Sequence, residues 1–275
     1  MALRIGSNIP SLTAQRYLAQ NQKQIETSYR ALASGSRLSG PQNDAAGFAI
    51  SETLHSQVAS LGQAKRNAEN AQAMIQTAEG ALNEQNNILV RMRELAVNAA
   101  SDTIGNKERV YVNDEFSQLL AEFDRIAKTT QFGSKKLLSG TEKNFSFQVG
   151  SNEGPENEIR FKLNSDTRAS AVGIDGLDVL EKSDARDALS SIDDALEKLA
   201  GTRAKLGAVQ SRFNYAIDNL DVQKENVESA RSVVADVDVA AEASRLVRAQ
   251  ILNQAGISVL AQANSYPKTL LRLLD

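Results

Sequence analysis

From Gly47 to Ala99 the chain keeps a seven-residue apolar repeat that no proline interrupts. Leu54, Leu61, Ala68, Ile75, Leu82, Leu89 and Ala96 hold one seam position. Ile50, Ala64, Ala71, Ala78, Met92 and Ala99 hold the other, with Gln57 and Gln85 as polar exceptions. A repeat sustained this long predicts one continuous coiled-coil-like helix. At ~1.5 Å per residue it reaches on the order of 80 Å, more than a compact domain spans, so the expected molecule is elongated.

A second run of the same kind extends from Ser183 to Val237. Its seam is Ala185, Ile192, Leu199, Leu206, Phe213, Leu220, Val227 and Val234, with companions Ala188, Ala195, Val209, Ala216 and Ala230 and polar exceptions Thr202 and Gln223. Matching length and period predict that the two pair antiparallel. Val112 to Ala127, with Phe116, Leu119, Leu120, Phe123 and Ile126, reads as a shorter amphipathic helix folding back beside them. Between the long helices the period changes to two. Phe145, Phe147 and Val149 alternate with polar residues, as do Ile159, Phe161 and Leu163, across the turn-rich GSNEGPENE. This predicts a β-hairpin near 144–164.

The ends of the chain pose a different problem. Ser11 to Ala33 carries Ala14, Leu18, Ile25, Tyr29 and Leu32 at helical spacing and stops at Ser34-Gly35-Ser36. Ala240 to Asp275 carries Leu246, Ala249, Leu252, Ala255, Val259 and Ala263, with Gly256 inside the stripe. A small-sided terminal stripe cannot be buried by its own helix, and the comparable segment is at the other end of the chain. The antiparallel arrangement brings the two ends together. The expected fold is therefore mainly α: an elongated antiparallel bundle of long helices, a small β-hairpin region, and terminal helices paired as an inner coiled coil.

Composition removes most chemistry. The chain has 275 residues, no Cys, no Trp and 5% aromatics, which suits helices packed through small side chains. Disulfides and Cys-ligated metals are excluded. With 34 acidic and 31 basic residues, net charge is −3, and basic residues are not interleaved with aromatics, so no nucleic-acid groove is expected. There is no run of ~20 apolar residues for a membrane span and no cleavable secretory signal pattern. His55 is the single histidine and reads as a surface residue. No metal spacing, phosphate loop or nucleophile elbow is present. The expectation is a non-enzymatic, cofactor-free protein whose sticky helical ends pack against identical chains; a contact of that kind that does not close makes a filament.

Several runs then carry a family likeness. LASGSRLSGPQNDAAGFAI at Leu32–Ile50 closely resembles the N-terminal signature of bacterial flagellins, and RAQILNQAGISVLAQAN at Arg248–Asn264, followed by LLRLL, resembles the C-terminal one. RMRELAVNAASDT, TTQFGSKKLL, FSFQVGSNEG and LGAVQSRFNYAIDNL fall between them in the family's order. The likeness covers essentially the whole chain but leaves no room for the large variable insert of longer flagellins.

The resemblance implies a subunit of the bacterial flagellar filament, used for swimming and located outside the cell after export through the flagellar type III apparatus. It implies an inner-tube domain, D0, from 1–38 (with its connecting spoke) and 238–275. It also implies a surrounding domain, D1, whose N-terminal part is 39–180 and whose C-terminal long helix is 181–237. Inner-tube packing would fall to Leu18, Ile25, Leu32, Leu246, Leu252, Ala255, Val259, Leu270, Leu271, Leu273 and Leu274. The D1 seam would fall to Leu61, Ile75, Leu82, Leu89, Leu199, Leu206, Phe213 and Leu220. Implied partners are other copies of the chain, an export chaperone and the export apparatus, and the hook–filament junction and cap proteins. Animal receptors join them: Toll-like receptor 5 at Arg91, Leu95 and Glu115, and NAIP receptors at the C-terminal leucines. Two other readings stay open. One is a hook–filament junction protein, which shares terminal helices with flagellins but diverges in the central signatures. The other is a flagellin with a metallopeptidase in its variable region, for which no HExxH motif is present.

Overall fold

The computed structural model describes residues 7–38, 40–140, 144–163 and 165–271, with side chains through Ser265. The helices are α1 (Ile9–Ser34), α2 (Ala45–Ala99), α3 (Asn106–Thr129), α4 (Ala169–Val172), α5 (Lys182–Ala235) and α6 (Val239–Leu271). The strands are β1 (Gln131–Phe132), β2 (Lys135–Lys136), β3 (Asn144–Gln148) and β4 (Glu158–Lys162). Two compact units divide the chain: residues 58–225 form one, and 1–57 with 226–275 form the other. The divisions fall inside α2 and α5, whereas the boundaries expected from sequence fall just before α2 and α6.

In the unit of residues 58–225 the expected heptad seams are the inward faces of the long helices, with Val209 and Ala216 half-buried. Leu61, Ala64, Ala68, Ala71, Ile75, Ala78, Leu82, Leu89, Met92, Ala96 and Ala99 are all buried on α2. On α5 they are met by Ala185, Ala188, Ile192, Ala195, Leu199, Leu206, Phe213 and Leu220. Polar contacts along the flanks confirm the antiparallel direction: Lys65 to Asp221 at 2.7 Å, Gln72 to Asn214 at 3.0 Å and Arg93 to Asp193 at 2.7 Å. Small seam residues let the backbones approach, while Leu, Ile, Met and Phe fill the space between them.

Polar groups mark the ends of elements in this unit. The buried Arg109 of α3 donates to Ala99 O at 2.8 Å and Ser101 O at 3.1 Å, satisfying carbonyls that the end of α2 leaves unpaired. Gln85, a polar exception in the seam, is fully buried and donates from Nε2 to Phe123 O and Thr167 O. It ties α3 and the segment before α4 to α2.

The expected hairpin is present, with β3 and β4 antiparallel and Phe145 opposite Phe161. Its apolar face presents Phe145, Phe147 and Phe161. Phe213 of α5 meets Phe147 and Phe161 edge-on, at centroid distances of 5.8 and 6.3 Å. The hairpin is thereby docked on the helical core by aromatic packing. A second, tight hairpin joins β1 to β2 within TTQFGSKKLL, with Gly133 at positive φ in the turn.

In the other unit α1 and α6 pair antiparallel. Asn8 caps α1, accepting from Ser11 N, and also donates to Ala263 O at 2.8 Å. Asp238 caps α6 through Ala240 N and Ala241 N. At the other end of the pair, residues 35–37 and 235–237 zip together: Arg37 N donates to Ala235 O at 2.7 Å and Val237 N to Gly35 O at 3.0 Å. Asp44 caps α2 by accepting from Gly47 N at 2.8 Å. A Cβ at Gly47 would stand against that carboxylate, which would have to shift to make room for it. Ile50, expected in the seam, is exposed, and Leu54 is only half-buried. Their part of the stripe belongs to this unit, and the tight burial of α2 begins at Leu61.

Candidate functional site

The distinguishing site is the outward side of the terminal helices. Apolar residues surround α6, so no single narrow stripe stands out. A helix apolar all round is normally enclosed, yet α1 covers only one strip of it. That strip is Glu242, Leu246, Ala249, Asn253, Gly256, Leu260 and Ala263, each buried or half-buried and alternately four and three residues apart. Opposite it, α1 presents Ser11, Ala14, Leu18, Asn21, Ile25, Ser28 and Leu32 at the same spacing.

The rest of α6 leaves Val247, Ile251, Leu252, Ile257 and Val259 between 49% and 61% exposed. On α1, Ile9, Leu12, Tyr17 and Tyr29 are similarly open. Two shallow clefts lie along these helices, one floored by Val247, Ile251 and Leu252, the other by Pro10, Val259 and Ala263. Contiguous apolar surface of this kind marks a site of protein association.

The residues expected in the inner tube thus separate into groups. Leu18, Ile25, Leu32 and Leu246 lie in the α1–α6 seam. Leu252, Ala255 and Val259 are exposed and face away from α1; the stripe assigned to them is out of phase with the one that pairs within the chain. Leu270 and Leu271 lie on α6 without described side chains, and Leu273 and Leu274 lie outside the described residues. The sequence stripe held Leu246, Ala249 and Ala263 of the in-chain seam, with Gly256 inside it, and drifted to Leu252, Ala255 and Val259 because the polar Glu242 and Asn253 occupy the rest. The seam's visible trace was the small-residue series Ala249, Gly256 and Ala263.

The proposed receptor residues sit in the unit of residues 58–225. Arg91 and Glu115 are exposed and paired at 2.8 Å, with Glu94 also on Arg91 at 2.9 Å. Hydrogen bonds that Arg91 donates to the Glu94 and Glu115 carboxylates raise its pKa above the ordinary value. Leu95, expected beside them, is 5% exposed and part of the core. It belongs to a second α2 stripe, Met74, Ala81, Ile88 and Leu95, spaced by seven and turned inward. It supports this surface from beneath and is not presented on it. His55 is exposed. Among the described residues, no group of three or more His, Cys, Asp or Glu could hold a metal ion, and no helix is long and apolar enough to cross a membrane.

Tightly packed internal seams together with uncovered apolar terminal helices define a structural protein built to associate through its ends. Residues 5–143 match the family model described as the bacterial flagellin N-terminal helical region, and 189–274 match the C-terminal helical region. The chain belongs to the bacterial flagellin family and is a structural subunit of the flagellar filament.

A flagellin of Halalkalibacterium halodurans is 40% identical over 270 residues, covering 98% of this chain and 99% of that protein. A Bacillus subtilis flagellin is 37% identical, covering 99% and 100%. The flagellar filament 30.7 kDa core protein of Treponema maltophilum is 33% identical, covering 98% and 99%. Among solved structures, Bacillus cereus flagellin superposes with a TM-score of 0.51 at 27% identity, covering 56% of this chain and 88% of that one. A putative flagellar hook-associated protein from Vibrio parahaemolyticus shares the fold, with a TM-score of 0.60 at 13% identity, covering 70% and 99%. Between the two family matches lie β3, β4 and α4, with no large variable domain.

Proposed function

We propose that this chain polymerises with itself into the propeller filament of a swimming bacterium, outside the cell, with 1–38 and 238–275 lining the inner tube and 39–237 forming the surrounding layer. The observation that carries this reading is the apolar surface that α1 and α6 leave open. Among the described residues, Val247, Ile251, Leu252 and Val259 stay largely open, and other copies of the chain would cover them. Burying such a side chain fully is worth about 1.5–3 kcal/mol, so repeated contacts between copies can offset the entropy of ordering the helices.

On this reading the chain travels through the flagellar type III apparatus with an export chaperone, and meets junction and cap proteins at the filament's two ends. Arg91 and Glu115 would present the Toll-like receptor 5 surface, with the C-terminal leucines offered to NAIP receptors. As a structural subunit, the chain carries no catalytic role.

Seeded polymerisation tests the central step. Full-length monomer added to filament seeds should elongate them to micrometre lengths. Chain lacking residues 246–275 should not elongate them, and normal filaments from that truncation would refute the packing argument. The second reading is a hook–filament junction protein, favoured by the fold shared with the hook-associated protein. The much higher identity to flagellins supports the filament instead. Labelling confined to the filament base would reverse the choice.

A further inference from the structure

We propose that the buried pair Ser28–Glu242 sets the register in which α1 and α6 zip together. Ser28 Oγ donates to Glu242 Oε1 at 2.6 Å; Ser28 is fully buried and Glu242 is 7% exposed. Arg245, one turn further along α6, holds the other carboxylate oxygen at 3.0 Å. It is the most enclosed polar pair in the seam; Ser11–Asn264 and Gln22–Asn253 lie nearer the surface.

Apolar packing alone discriminates registers poorly in this seam. Leu18 faces Gly256, where an added Cβ would stand 3.0 Å from its Cδ1. A slide of one heptad, about 10 Å along the axis, would put Leu18 opposite Ala263 or Ala249. Those sites differ from Gly256 by one methyl group. The polar pair responds far more sharply. Sliding one way places Ser28 opposite Ala249 and Glu242 opposite Gly35, past the last residue of α1. Sliding the other way places Ser28 opposite Ala235, before α6 begins. Either slide parts the two: Arg245 travels with Glu242 and keeps one carboxylate oxygen, but the other loses the Ser28 hydroxyl and the buried hydroxyl loses its acceptor, which is disfavoured. A single polar contact in an otherwise apolar seam is a known means of specifying coiled-coil register. In a polymer, where many identical α1 and α6 helices lie close together, this contact separates the correct pairing from heptad-shifted ones.

The test exploits the absence of cysteine. Three double substitutions in the full chain report register by disulfide formation: S11C with N264C for the observed register, L18C with N264C and S11C with I257C for the two shifts. Cross-links within a chain keep the monomer mass, whereas those between chains double it. In the natural background, filaments should cross-link in the observed register. In S28A/E242L the preference for that register should fall by about tenfold, the equivalent of one lost hydrogen bond to a charged group, and shifted cross-links should appear. E242Q, which keeps the acceptor, should retain the observed register. Should S28A/E242L fail to assemble, S28A alone carries the test and should also release shifted cross-links. Cross-linking confined to the observed register in S28A or S28A/E242L overturns the proposal, as does a shift in E242Q equal to that in S28A/E242L. The inference rests on the in-chain pair and on the polymer reading only for its consequence. Pelleting measures assembly and cross-link mass measures register, so the two can fail separately.

Discussion

Replacing Phe213 by alanine should undock the β3–β4 hairpin from the helical core. Phe213 is fully buried, and its ring stands edge-on to Phe147 and Phe161 at interplanar angles of 86° and 83°. Truncating a buried phenylalanine costs about 3–5 kcal/mol, and an edge-on aromatic pair adds about 0.5–1.5 kcal/mol beyond its burial. Phe147 and Phe161 of the hairpin both rest on this ring, so its loss leaves a gap at the docking point. We therefore expect about 4 kcal/mol of destabilisation. For a unit of this size each kcal/mol lowers the melting temperature by about 2–4 °C, so the fall should be about 8–16 °C. Tyr215, two residues along the same helix, is 76% exposed, and its truncation should stay within about 0.5 kcal/mol. Thermal unfolding of the soluble full chain, followed by circular dichroism, compares the two variants. Equal melting temperatures for F213A and Y215A would refute the docking role.

The remaining predictions concern buried polarity and acid. Gln85→Leu strips the donor from Phe123 O and Thr167 O and should cost about 1–3 kcal/mol. In urea the unfolding midpoint should drop with its slope unchanged, and an unmoved midpoint would show that the two carbonyls find other partners. Hydrogen bonds from Arg93 and Lys182 hold Asp193 and Asp102 below the ordinary aspartate pKa. Because the folded values are the lower ones, the stability they contribute is present above about pH 4 and is lost as pH falls through the depressed folded values. Melting temperature measured from about pH 6 down to about pH 3 should therefore fall less steeply in D193N than in the natural chain; parallel curves would rule the pair out as a source of acid sensitivity.

The long helices were legible because their information is local and repeated. Leu61, Ile75, Leu82, Leu89, Leu199, Leu206 and Phe213 recur at intervals of seven, and large side chains at that interval leave one face to bury. The alternation around Phe145 and Phe161 was legible for the same reason at a period of two. Gln85 was visible as an exception to the seam, but its partners were not: they lie 38 and 82 residues away in sequence. Leu95 was assigned a role through the family resemblance alone, because the two heptad seams gave it no place. Only the packed unit shows that α2 is covered along a second stripe.

At the chain ends the sequence alone determined that two helices form and that they cannot stand alone. It did not determine which side of α6 meets α1. Apolar residues surround that helix, so Leu252, Ala255 and Val259 make as plausible a stripe as Leu246, Ala249 and Leu260, and periodicity does not rank them. The tertiary structure decided it through contacts that periodicity does not encode: the Ser28 hydroxyl on the Glu242 carboxylate, and Leu18 against the bare backbone of Gly256. A buried polar group must find its partner, and this need selects one face and one register where apolar burial leaves several nearly equal. The face not selected keeps Leu252 and Val259 open, as a subunit that packs against its own copies requires.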